Sequence, residues 1–480
     1  MNAKVCRSVL LLALPLLLYP QGCMAMEFPY LLQDPLRTMP DAVTNFSVTL
    51  PGDSSPIPRT ATADFARPLT LAEAVDLALA NNQKVKGAWA DIKVQAGALG
   101  EAKAAYLPTI SGGANWTKDS IHYSNPLYGS TDTNSFTGQA TASWRIFDFG
   151  GRAANRRSNE QLLTAAFATY DATLQDALSA VIQNYFDAVT AAATLKARIE
   201  EEKTAQGTYR AAQVREANGA VSRSDTLRSQ TAFAKAALER SRAQGDYQKA
   251  VAVLRHELGL PGATPLLLPD DLGAPHGTAT EGKALSQWLK TAEQHHPAIE
   301  SARRQLAAAK EQLTVVRSSG LPTLNLSGNF YQNTRPGESI TASDAIETTL
   351  VVGVSVPIFE GFATTYKLRG AQAKMEKQQA ILADTEQQVA MNVIKAYADA
   401  TAALDNLTAS ATLQDSAQQA LEVSQRKYGM GAADITEVLS TQSALADAMN
   451  ERIRCLSEWN AARLQLLASA GRMGRSAIAR

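Results

Sequence analysis

Four runs of strict alternation, two long stretches without proline and an internal duplication predict a mainly α protein with a membrane β-barrel portion. The predicted unit is helix, strand, strand, long helix, helix, and the chain carries it twice.

The alternation is plainest in "SFTGQATASWRIFDFGGR", residues 135–152. Phe136, Gly138, Ala140, Ala142, Trp144 and Ile146 are apolar or small, while Thr137, Gln139, Thr141, Ser143 and Arg145 between them are polar. A period of two marks a strand with one apolar face. Ile110, Gly112, Ala114 and Trp116 repeat the pattern, as do Leu324, Leu326, Gly328 and Phe330. Leu350, Val352, Val354, Val356 and Ile358 form the apolar face of a fourth run. Each run has about the 9–11 residues that a tilted strand needs to cross hydrocarbon.

The duplication shows in "VIQNYFDAVTAA" (181–192) against "NVIKAYADATAA" (392–403), where Val181, Ile182, Tyr185 and Asp187 face Val393, Ile394, Tyr397 and Asp399. "WRIFDFGG" and "VPIFEGF" align Phe147 with Phe359 at the same offset, and "GAVSRSDTLRSQ" lies over "GAADITEVLSTQ". Upstream, "AYLPTISGGANW" lies over "SGLPTLNLSGNF" with the offset two residues larger, a change that a loop between paired strands absorbs.

No proline occurs from Leu127 to Leu260 or from Ile358 to Arg480. One inside a helix would cost ~3 kcal/mol, and these stretches are filled instead by Ala, Gln, Glu, Lys, Arg and Leu. Gly151 to Ala217 would make roughly 100 Å of helix, and the shorter helices of the same copy roughly 55 Å each. Two short rods laid end to end therefore match one long rod. An ordinary soluble coiled coil stands as the alternative for these helices alone.

Four strands cannot close a membrane barrel, and an open edge in lipid leaves backbone groups unsatisfied. The chain is therefore expected to oligomerise. Two copies give eight strands, with an interior filled by side chains, and three give twelve, with room for a channel. An open channel favours three copies. Residues 147–151 form the junction between strand and helix.

Lys4 and Arg7 precede an apolar run from Val9 to Tyr19, and the small residue Ala25 closes a Cys23-Met24-Ala25 triplet, the layout of a secretory signal. Cys23 offers a second reading, as the acylated first residue of a lipoprotein, although Pro20-Gln21-Gly22 is an atypical approach to such a cysteine. Seven prolines between 26 and 68 suggest an extended strap. The expected units are a signal at 1–25, the strap at 26–68 and a first repeat at 69–262 with strands near 106–118 and 135–148. A linker at 263–283, a second repeat at 284–471 with strands near 321–333 and 347–359, and a tail at 472–480 follow.

Forty-six Lys and Arg balance 46 Asp and Glu, so no broad basic field is available for nucleic acid. His295-His296 has no cysteine or acidic partner at a ligand spacing, "GMGAAD" lacks the strand and lysine of a phosphate loop, and no nucleophile–base arrangement is legible. No enzyme, cofactor or metal is expected. Cys455 is read as a small buried apolar residue.

This duplicated unit, with "AYLP", "WRIFDFGGR"/"VPIFEGF" and the turns in which Gly is followed by Asp or Glu, resembles the TolC-type outer-membrane factor family over about residues 69–471. The resemblance implies a homotrimer whose twelve strands form one outer-membrane β-barrel, continuous with a periplasmic α-helical barrel. It implies a passive exit duct, joined through a periplasmic adaptor to an inner-membrane pump or ABC exporter. Efflux of small toxic compounds is the first reading and type I protein secretion the second. A periplasmic coiled-coil adaptor without a pore is the reading of a different class.

Gly219 and Gly431 break the helices in the two tip turns, and Ser222 and Asp434 are candidate N-caps on physical grounds. The resemblance adds an adaptor contact at Gly219, Ala220, Ser222, Gly431 and Ala432. It also adds a gate in which Asp225 and Tyr428 match an acid and a tyrosine and Glu437 an acidic ring position. The family's gate arginine falls on Ala433, with Arg223 in the other turn as a substitute.

Overall fold

The computed structural model describes residues 34–39, 65–125, 127, 130–269, 282–334 and 344–474. The signal segment, Cys23 and most of the strap, linker and tail lie outside them. Residues 34–39 of the strap rest on the second helix, where Lys103 Nζ donates to the Leu36 carbonyl and a Cβ at Gly100 would lie 3.6 Å from Thr38 Oγ1.

The first copy comprises α1 (Leu71–Asn81), α2 (Gln83–Ala104), β1 (Thr109–Ile121), β2 (Thr131–Phe147), α3 (Gly151–Ala217) and α4 (Arg223–Glu257). The second comprises α5 (Leu285–His295), α6 (Pro297–Ser318), β3 (Thr323–Thr334), β4 (Asp344–Ser355), α7 (Ala363–Gly429) and α8 (Ile435–Ser469). The copies match in length: α3 and α7 have 67 residues each, and α4 and α8 have 35 each. Local chemistry sets the ends. Thr70 and Glu73 form a reciprocal capping box at α1, and α3 and α7 start from left-handed residues, Gly150 and Phe362.

The four strands form one antiparallel sheet in chain order, and its two edges, β1 and β4, have no partner strand among the described residues. The strands differ in extent from the sequence expectation. β1 starts at Thr109 rather than 106, because residues 105–108 turn and Pro108 has no N–H to donate. β2 starts earlier, at Thr131, and β4 ends at Ser355, ahead of Pro357, rather than at 359.

Register decides the faces. Trp116 stands opposite Phe136, Ala140 opposite Phe330, Trp144 opposite Leu326, and Leu326 and Leu324 opposite Val352 and Val354. Directly opposed residues share a face, so the apolar sets of all four strands merge into one surface. Ser111, Thr141, Asn329 and Thr349 line the other face by the same pairing.

The helices form a wall. At the sheet end α2, α3, α6 and α7 lie side by side; at the far end the order is α4, α3, α8, α7. Each long rod thus has shorter rods stacked along it. One core joins α1, α2 and α3 to the ends of α4 and α8, with Leu174, Leu178, Ile182 and Leu254 fully buried. A second joins α5 to α8 around Trp288 and Trp459. Each such side chain contributes roughly 1.5–3 kcal/mol. Alanines such as Ala154, Ala308, Ala400 and Ala448 close the remaining contacts between rods.

Candidate functional site: the membrane sheet, its junction and the far tip

The apolar face of the sheet is open in the single chain. Ile110, Trp116, Leu350, Val352 and Val354 are each about two-thirds exposed or more, which is far beyond what a water-facing monomer tolerates in one patch. No described helix is long and apolar enough to cross a membrane. The sheet is therefore the part that meets lipid.

Arg152 organises the junction beneath it. Its backbone N–H and Nε donate to Asp148 Oδ2 at 2.9 and 3.1 Å, Nη1 to the Ala105 carbonyl at 3.3 Å and Nη2 to the Ile146 carbonyl at 3.0 Å. The guanidinium also lies 4.9 Å from the Tyr106 ring centroid, and Trp144 Nε1 donates to the Tyr106 carbonyl. The motifs "AYLP" and "WRIFDFGGR", far apart in sequence, meet here. Phe149 (φ 51°) and Gly150 (φ 88°) turn the chain from strand to helix, and Gly361 and Phe362 repeat that turn with the residue types exchanged. In the second copy Glu360 replaces Asp148 and accepts from Thr364 Oγ1 at 2.7 Å.

At the opposite end each long helix stops at a left-handed glycine, Gly219 (φ 69°) or Gly431 (φ 77°). Ala220 N–H donates back to the Arg215 carbonyl and Ala432 N–H to the Lys427 carbonyl, satisfying the last carbonyls of both helices. Ser222 caps α4 and Asp434 caps α8, as the sequence of the turns leads one to expect. Gly219, Ala220, Ser222, Gly431 and Ala432 are all exposed.

No hydrogen bond or ion pair joins the candidate gate residues to one another among the described residues. Asp225 is the second half of a capping box: its N–H donates to Ser222 Oγ, and its carboxylate accepts from Ser222 N–H and Oγ–H at 3.2 and 2.9 Å. Glu437 sits 3.5 Å from Lys427 Nζ. Arg223 is exposed, with no ion pair among the described residues, and Ala433 is half-buried. Tyr428 packs instead with Arg215, whose Nη1 donates to the Tyr428 carbonyl at 3.2 Å and whose guanidinium lies 4.5 Å from the ring centroid. Arg228 makes the other link, donating to Thr436 Oγ1 at 2.9 Å beside Asp434.

Sequence reasoning passed over Arg215 and Arg228. The duplication lays Arg215-Glu216 over Lys427-Tyr428, an alignment that does not by itself bring Arg215 to Tyr428. Farther up, Gln442 Nε2 donates to Thr208 Oγ1, tying α8 to α3.

Midway along the wall, burial raises three carboxyls of α3: Asp171 to about 6, and Asp176 and Asp187 in the same direction. A cavity of about 620 Å³ opens across α2, α3, α6 and α7, where Ala88, Ala165 and Ala371 mix with Asp91, Gln95 and Lys374. Among the described residues no group of His, Cys, Asp and Glu could hold a metal ion. Cys455 is buried as a free thiol.

A lipid-facing sheet leading straight into rods of about 100 Å defines the class: one protomer of an outer-membrane channel whose helices extend into the periplasm. The model of the outer membrane efflux protein family matches residues 74–260 and 288–472, and the chain belongs to that family. Protein CyaE of Bordetella pertussis is 33% identical over 87% of this chain and 87% of its own length. Alkaline protease secretion protein AprF of Pseudomonas aeruginosa is 24% identical over 67% of this chain and 66% of its own. Among solved structures the outer-membrane channel OprN superposes with a TM-score of 0.75 at 18% identity, covering 88% of this chain and 99% of that one. The protein is thus an outer-membrane channel component for export, and the family is one of channels, not enzymes.

Proposed function

We propose that the chain works as a homotrimer, the passive exit duct of a tripartite export system. One observation carries this reading. The sheet has a continuous apolar face and two unpaired edges, and β2 runs through residues 148–150 into a 67-residue helix. Three copies joined edge to edge would leave no backbone group open to lipid, with the Ser/Thr/Asn face turned inward to water. The helix wall has matching free edges, α7 on one side and α2 and α4 on the other.

The exposed turn residues Gly219, Ala220, Ser222, Gly431 and Ala432 would take the hairpins of a periplasmic adaptor, which links the duct to an inner-membrane pump or ABC exporter. Asp225, Tyr428, Glu437 and Arg223 would border the narrow end, where three-fold repetition turns each carboxylate into a ring that favours cations. The expected units follow the duplication: repeats at 69–262 and 284–471, joined at 263–283, with the strap outside the wall. Efflux of small toxic compounds is the first cargo reading, in keeping with the family's description. The printed name of AprF supports the second, protein secretion.

The test is electrophoretic and electrical. Outer-membrane extract should give a band that shifts on heating, and the purified protein should cross-link as a trimer and conduct ions across a planar bilayer. A monomer in detergent that passes no current refutes the duct. For cargo, a deletion strain that becomes sensitive to dyes and detergents supports efflux, and one that loses a protein from its culture medium supports secretion.

A further inference from the structure

The duplicated wall has two equivalent breaks between short helices, and they are capped by different side chains. At the first, Asn82 separates α1 from α2; its Oδ1 accepts from the N–H groups of Lys84 and Val85 at 2.9 and 3.4 Å, and its Nδ2 donates to the Glu257 carbonyl. Gly259 (φ +64°) packs against it so closely that a Cβ there would come 2.8 Å from the Asn81 carbonyl oxygen. At the second, His296 separates α5 from α6, and Gly471 (φ +70°) packs against it in the same way, a Cβ there meeting His296 Cα at 3.0 Å.

His296 caps α6 through Nδ1, which accepts from the Ala298 N–H at 3.2 Å. Nδ1 is the ring nitrogen nearest the backbone, so it alone reaches that donor. Pro297 at the first helical position has no N–H, and the N–H groups of Ile299 and Glu300 already find the His296 carbonyl at 3.1 and 3.2 Å. Ala298 is thus the first-turn donor that depends on the side chain.

We propose that His296 is an acid-sensitive cap, so that the second junction loosens as pH falls while the first, capped by an amide that takes no proton, does not. Protonated Nδ1 becomes a donor and turns an acceptor into a clash of two N–H groups. The new positive charge also sits at the positive end of the α6 dipole.

Charged groups level with the imidazole come from every neighbouring element. Glu293, His295 and Glu300 lie on its own helices. The Thr169–Ser301 contact sets the antiparallel register that brings Asp171 and Asp176 of α3 to this height. Lys395 lies on α7 and Arg472 beyond α8. None forms an ion pair with His296 among the described residues. Burial holds the imidazole below its usual value, so the neutral ring belongs to the folded junction. The linkage has one sign: a depressed histidine leaves the junction fully stable above the unfolded value of 6.5, and that stability is lost as pH falls toward the folded value. Trp288, Ala292 and Ile299 pack beside the cap with Trp459 and Ala470, so the loosening is felt at the end of α8.

Hydrogen exchange read by mass spectrometry on the full-length protein in detergent tests this, at about pH 7.5 and about pH 5 with intrinsic rates corrected. Opening of the peptide spanning 285–300 should rise roughly fivefold in acid, while that of 71–88 stays constant. His296→Asn should abolish the rise, Asn82→His should transfer it to 71–88, and His295→Asn should leave it intact. A wild-type rise that is absent, equal at both junctions, retained in His296→Asn or lost in His295→Asn overturns the proposal.

Discussion

Replacing Arg215 by methionine should open the narrow end of the duct. The side chain joins α3 to α7 just above the tip, with a hydrogen bond of 3.2 Å to the Tyr428 carbonyl and its guanidinium 4.5 Å from the ring. A cation over an aromatic at a half-exposed site contributes about 0.5–1 kcal/mol, and the charge-assisted hydrogen bond, discounted for exposure, about 1 kcal/mol. The link is thus worth about 1.5 kcal/mol per protomer, and its loss shifts a local closed-to-open equilibrium about tenfold. Methionine keeps the aliphatic stem, so the change isolates the charge. Single-channel recordings in planar bilayers should show a larger mean conductance for Arg215→Met. Tyr428→Phe should stay near wild type, because the ring and carbonyl remain and the hydroxyl it removes is buried without a partner among the described residues. Equal conductance in Arg215→Met and wild type, or a Tyr428→Phe channel as open as Arg215→Met, would refute this account of the tip.

Asp225→Ala combined with Tyr428→Phe should raise conductance through the lost capping box of α4, which is worth about 1 kcal/mol; an unchanged conductance removes Asp225 from the gate. Gly259→Ala should lower folded yield and cost about 2 kcal/mol or more, since φ is +64° and the Cβ meets backbone at 2.8 Å. Gly262→Ala, with open space around it, should be near neutral in the same denaturation series. Asp171→Asn should stabilise the protein by about 2 kcal/mol near neutral pH, because a carboxyl raised to about 6 destabilises the fold once it ionises. That gain should vanish below about pH 4, where both states hold the proton. Thermal melts at the two pH values check the sign.

Much of this molecule was legible in local signals. The apolar alternation of residues 136–146 and the absence of proline between Leu127 and Leu260 each constrain only near neighbours along the chain. That is why the strands and the long helices could be read from them. The glycine turns at Gly219 and Gly431 were legible for the same reason, since a left-handed C-terminus is a property of a few consecutive residues. At the tip only the local contacts were legible: Ser222 and Asp225, three residues apart, cap α4, whereas Arg215 meets Tyr428 across 213 positions.

Order of elements and the duplication were determined by the sequence itself, because hydrophobic period and repeat spacing are written residue by residue. Only the tertiary structure decided which cations bind which partners. Arg152 collects carbonyls from residues 105 and 146, and Arg215 finds Tyr428 more than two hundred positions away. It also decided the strand register that merges four apolar faces into one. Such pairings depend on how rods and strands come to rest against each other in space, and spacing along the chain carries no record of that distance.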